Sequence, residues 1–217
     1  MPNYWFWENT LNEDVLPALR RIYEFHVQQI VPALKQIMDE TPGRVDQRYR
    51  DSGGYANEDA GEQGWEDAVE EQLDWRDTLR VYSAATCEAL YYVAAKFILL
   101  LYRREIISVQ DERATPPPRN LGELPRLFLE KGIDLKRIGG YERYELLRLV
   151  SNCHKHVHGE SCQELERVRP DLVRPNLIGL DVAMLEPDQI KDIYEGIVTF
   201  LKGVIDCLND SNQGTSY

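Results

Sequence analysis

The stretch from Trp65 to Val109 contains neither proline nor glycine, and it constrains this chain more than any other segment. Leu79, Tyr82, Thr86, Leu90, Val93, Phe97 and Leu100 recur there at steps of three and four, the period of an α-helix. Its second half, "VYSAATCEALYYVAAKFILLLY", is apolar nearly all round, the pattern of a helix enclosed by others. That window approaches membrane-spanning length, but Glu88 and Lys96 lie inside it. The reading is therefore a buried central helix with no membrane contact, stopped by "ATPPPRN" at 114–120.

The flanking segments are helical in pattern as well. From Thr10 to about Asp39, Val15, Leu16, Leu19, Ile22, Tyr23, Ile30, Leu34 and Ile37 form one apolar side, with a kink or break expected at Pro32. A short amphipathic helix follows over 121–130, and "RIGG" at 137–140 precedes a helix from Tyr141 to Gly159, where glycine suits a left-handed C-terminal position. Ser161 and Glu164 have the spacing of a capping box for a short helix that Pro170 closes. Residues 176–185 read as extended, and Pro187 opens a last helix to about Asn209. The expected fold class is all-α: a bundle of four to five helices with a very long central helix and a short extended connector, forming one domain over 1–210. Residues 41–64 hold five glycines and no apolar period, so a mobile acidic loop is expected there, and 211–217 reads as a frayed tail.

The formal net charge of −12 opposes general cationic binding of nucleic acid. Charge is unevenly placed, however: residues 39–80 carry thirteen acidic residues against five arginines, whereas 113–174 carry twelve basic against nine acidic. The acidic stretch from 46 to 77 reads as a solvated surface, as a mimic of nucleic-acid charge, or as the face that meets a basic partner. Arg119, Arg126, Lys136, Arg137 and Arg143 read as surface charge or as a modest phosphate-contacting rim. The aromatic run Tyr4, Trp5, Phe6, Trp7 reads as a segment docked on the bundle or as a partner-binding arm. The opening residues lack the basic-then-apolar pattern of a secretory signal. Cys87, Cys153, Cys162 and Cys207 show no CxxC spacing, so reduced thiols and a cytoplasmic location are expected.

No phosphate-binding loop, serine elbow, zinc helix or dinucleotide fingerprint is present, so the chemistry concentrates in "RLVSNCHKHVHG" at 148–159. Three readings compete there. His154 lies on or beside the apolar face, which suits a partly buried histidine with one hydrogen bond. His154 and His158 share a face at i and i+4 and could hold a metal with Cys162 or Glu160. Finally, Arg148 and His154 supply a fixed cation and a group that exchanges protons near neutral pH, the requirements for cleaving RNA by its own 2′-hydroxyl. About 120° separates them on an ideal helix. A shared site therefore needs unwinding near the glycine or a second copy of the chain.

An arginine followed after five residues, "LVSNC", by a histidine near the end of a late helix resembles the HEPN superfamily of prokaryotic helical proteins. The resemblance implies a helical bundle and, in active members, a metal-independent endoribonuclease of toxin–antitoxin, phage-defence or CRISPR-associated systems, with its site shared across a homodimer. Arg148 would face phosphate and His154 would be the acid–base residue, with Asn152 beside them and Lys155 and His158 as supporting candidates. No metal or cofactor is implied. The pattern departs from active members at Leu149, where a polar residue is typical. Other members are non-catalytic interaction modules that bind protein partners, and this is the second functional expectation.

Overall fold

The computed structural model describes residues 4–51, 58–106, 121–156, 159–176, 179–183 and 185–213. Helix α1 (Tyr4–Thr10) passes through a wide π turn (Leu11–Val15) into α2 (Leu16–Phe25), and a second π turn (His26–Ile30) leads into α3 (Val31–Asp51). Helix α4 (Glu58–Leu101) follows and ends in a third π turn (Tyr102–Ile106). Next come α5 (Leu124–Leu129), α6 (Tyr141–Lys155) and α7 (Glu160–Val168). Strands β1 (Val173–Asn176) and β2 (Gly179–Val182) form an antiparallel hairpin before the last helix, α8 (Pro187–Gln213). The fold is the expected all-α bundle, and the extended connector is one strand of this hairpin.

Two of the π turns share a cause. Proline lacks an N–H, and its ring collides with the carbonyl four residues earlier. For Pro17 and Pro32 those carbonyls belong to Glu13 and Gln28, each inside a π turn, where the wider spiral moves the carbonyl away. The helix therefore absorbs Pro32 instead of breaking there.

The expected mobile loop over 41–64 is corrected for most of its length: 41–51 belongs to α3 and 58–64 to α4, while 52–57 lies outside the described residues. Helix is maintained here by contacts between the two elements. Arg44 and Arg48 both reach Glu71 of α4, and Thr41 and Val45 are buried. Gly64 lets the Tyr49 ring lie against the α4 backbone, since a Cβ there would fall 2.2 Å from the ring. Of the tail, 211–213 continue α8 and 214–217 lie outside the described residues.

The main core surrounds the second half of α4. Ala84, Cys87, Leu90, Ala94, Ile98 and Leu101 pack with Leu147 and Val150 of α6 and with Ile197, Phe200, Leu201 and Val204 of α8. The alanines let α4 approach its neighbours closely, which a helix enclosed on several sides requires. This is the one described helix long and apolar enough to cross a membrane, and half of its most apolar window is buried. Trp7 docks with its ring 6.0 Å from Phe97, whereas Trp5 and Phe6 stay exposed. At the other end of the bundle, Arg80 of α4 reaches Asp181 of β2 and holds the hairpin.

His26 is buried at the second π turn, with Nδ1 2.9 Å from the Thr86 hydroxyl. That hydroxyl already donates to the Tyr82 carbonyl at 2.8 Å, so it accepts from Nδ1–H. Nε2 is left as a bare acceptor with no partner among the described residues. Burial lowers the His26 pKa below its ordinary value. A lowered pKa means that the unfolded chain takes up the proton first. Its contribution to stability is therefore complete above the unfolded histidine value of about 6.5 and is lost as pH falls through the folded pKa. The denaturant midpoint is expected to drop as pH falls below about 6.5. His26→Asn, which keeps a donor toward Thr86 and cannot titrate, should flatten this part of the profile; an unchanged slope would show that His26 does not produce it.

Candidate functional site

Helix α6 starts at Gly140, whose left-handed φ of 85° turns the chain into the helix. Its buried side carries Leu146, Leu147, Leu149, Val150 and Cys153, as the helical period required, together with Tyr144 and Ser151. Arg148 lies at the margin of that side, four residues after Tyr144 and three before Ser151, where Nε donates to the two Glu145 oxygens at 3.0 and 2.9 Å and Nη2 donates to Oε1 at 2.6 Å. Glu164 of α7 adds a carboxylate oxygen 3.7 Å from Nη2, and only 15% of the Arg148 side chain is exposed. The Glu145 hydrogen bond is the main cause that raises the Arg148 pKa further.

Three tyrosines gather beside this clamp. The Tyr91 ring of α4 lies 5.7 Å from that of Tyr144, which in turn is 6.3 Å from that of Tyr141. Burial first, and the nearby Glu145 carboxylate second, push the Tyr141 hydroxyl up to about 12. It stays protonated at neutral pH. A cavity of about 390 Å³ opens between α6 and α7, with Leu146, Leu149 and Val168 as apolar lining and Glu145 and Glu164 as carboxylates. Its two rim arginines are engaged as well, Arg143 with Asp192 and Arg169 with Asp171.

The other candidates do not converge on Arg148. His154 is half-buried and makes no hydrogen bond or ion pair with another described residue, Arg148 included. Asn152 accepts the His156 N–H through its backbone carbonyl at 2.9 Å. Lys155 pairs with Glu88 of α4 at 3.1 Å. His158 lies outside the described residues. Leu149 is buried, so the position that departs from the active HEPN pattern serves the core.

Two expectations about the helix end are corrected. Helix α6 stops at Lys155, and Gly159, with φ −71° and ψ 159°, is the extended residue that precedes α7. Its backbone is thus not left-handed, and Ser161 sits inside α7 instead of capping it. The packing of α7 beside α6 brings the Cα atoms of Cys153 and Cys162 to 4.6 Å, and the two form a disulfide. Reduced thiols were the expectation for all four cysteines; Cys87 and Cys207 are free. The pair has no sequence signature because its closeness comes from how the two helices meet. The disulfide also removes Cys162 from any metal set, and no group of three or more potential ligands occurs among the described residues.

Glu145 and Glu164 are the residues that the sequence reading missed. Glu145 was legible in principle, since i and i+3 share a helix face. Glu164 sits on the next helix, so nothing local points to it. Comparison with known proteins finds no matching family model, no matching curated protein and no matching solved structure.

Proposed function

We propose that this chain is a HEPN-like helical interaction module that does not use its Arg148-x5-His154 pair for RNA cleavage. The observation that carries the reading is the engagement of Arg148 by Glu145 and Glu164. An arginine that stabilises a phosphorane-like transition state needs donors directed at the phosphate and a positive local field. Two carboxylates around one guanidinium supply the opposite field and occupy donors on the protein itself. His154, about 120° away around the helix, faces elsewhere.

RNA incubated with the purified full chain in EDTA near neutral pH is expected to stay intact, and Arg148→Ala and His154→Ala should behave as the parent does. Cleavage in EDTA that disappears in both folded variants would overturn the proposal. It would establish the alternative, a metal-independent ribonuclease of the toxin–antitoxin or phage-defence kind, working as a homodimer.

A further inference from the structure

Helix α4 is covered on two flanks and open between them. Val31 and Leu34 of α3 pack with Leu79, and His26 meets Thr86, so the chain that precedes α4 takes one flank. Tyr144 of α6 packs beside Tyr91 and takes the other. At about 100° per residue, Asp67, Glu70, Asp74, Val81, Ala85 and Lys96 all lie within about 40° of Tyr92 around the axis, on the open side. Arg103, the second residue of the π turn that ends α4, falls there too. Val81 and Tyr92, with Tyr82 and Leu100 at the margin, are each 40% exposed or more, a run of large apolar side chains about 28 Å long.

The order of charge along this face selects its occupant. Asp67, Glu70 and Asp74 come first, the apolar run follows, and Lys96 and Arg103 come last. The three carboxylates and Arg103 form no ion pair with another described residue, and Lys96 has only the Tyr92 ring, 5.8 Å from its ammonium. Glu88, also on this face, is already paired with Lys155. Nucleic acid would meet the carboxylates as like charge, and a bilayer would have to accommodate them beside the apolar run. A helix that fits must set bases against the first part, apolar side chains against the middle and acids against the last. The same helix of a second copy, turned end for end, supplies that order.

We infer that this face of α4 is the interface of a homodimer in which two α4 helices lie antiparallel and cross at Ala85. Ala85 has no bulk to hold the two axes apart. Asp74 precedes it by eleven residues and Lys96 follows it by eleven, so a crossing there sets Asp74 against the partner's Lys96. Asp67 and Arg103 lie eighteen residues to either side, and they meet in the same way. Two-fold symmetry makes each contact twice. This rests on the interaction-module reading and names that module's partner as a second copy of the chain.

Sedimentation equilibrium of the full chain should give twice its 25.2 kDa mass at about 10 μM protein. Ala85→Arg places like charges at the crossing and should weaken association at least about tenfold. Asp74→Lys and Lys96→Asp should each do the same, because each sets like charges against one another twice. Mixed in equal amounts, these two variants should associate as tightly as the parent, since each chain then meets the opposite sign at both pairs. All three substitutions alter exposed residues, so the parent's helical circular dichroism should persist. A parent that stays monomeric up to about 100 μM, or a mixture no tighter than its components, would overturn the inference. So would a monomer that instead binds phosphatidylcholine vesicles, because lipid would then be what covers this face. The RNA assay reads chemistry at α6 and this one reads mass, so failure of one is distinguishable from failure of the other.

Discussion

Arg80→Met is expected to lower the unfolding free energy by about 3–5 kcal/mol, the usual consequence of removing one partner from a buried ion pair. Arg80 Nη1 donates to Asp181 at 2.7 Å, and its Nε and Nη2 donate to Asp77 at 3.0 and 3.1 Å. Asp77 also accepts from Arg174 of β1, and hydrogen bonding from Arg80 is the main cause that brings its pKa to about 2. The Arg80 and Asp181 side chains are 9% and 12% exposed. Methionine would fill much of the volume but leave the Asp181 carboxylate buried beside an apolar neighbour, with only the Val182 N–H, at 2.7 Å, left to it among the described residues. Arg80→Met/Asp181→Leu should recover most of the loss, because replacing a whole buried pair by apolar groups is often neutral. Urea denaturation at unchanged m-value reads both. A single variant that loses less than about 1 kcal/mol would mean that this pair does not hold the hairpin.

Gly140→Ala is the second large effect, at about 2–5 kcal/mol. The left-handed backbone there costs an alanine about 1–2 kcal/mol. The added Cβ would also stand 2.1 Å from the Gly196 carbonyl oxygen and 2.9 Å from the Phe200 nitrogen, both backbone atoms of α8. Neither can rotate away as a side chain would. Gly132 provides the control, since its φ of 84° is nearly the same but nothing lies within 4 Å of a Cβ built there. Gly132→Ala should therefore show the conformational cost alone, and the difference between the two midpoints isolates the close approach of α6 to α8. Equal losses would mean that α8 yields at no cost.

Residues such as Leu79, Leu90 and Phe97 made α4 legible because burial of an amphipathic helix repeats every three or four positions, and any window shows it. The "RIGG" break was legible too, though only as punctuation. That its second glycine admits a carbonyl from a helix some fifty positions later was not, because sequence patterns do not report the neighbour. Over 41–64 the sequence argued against helix through Pro42 and several glycines. Val45, buried in the seam between α3 and α4, and the Tyr49 ring against Gly64 reverse the outcome, contacts that no window of either helix contains.

The candidate site divides along the same line. Arg148 on the side of α6 away from Leu147 and Val150 followed from the period, as did its angular separation from His154. Its pairing with Glu164 did not, nor did the disulfide, for both depend on how α7 packs against α6. The amino-acid sequence by itself determined which face of each helix turns inward, because apolar burial is periodic and therefore local. Only the tertiary structure decided which charges meet, Arg148 with Glu164 and Arg80 with Asp181, because an ion pair depends on distance in space and leaves no period in the chain.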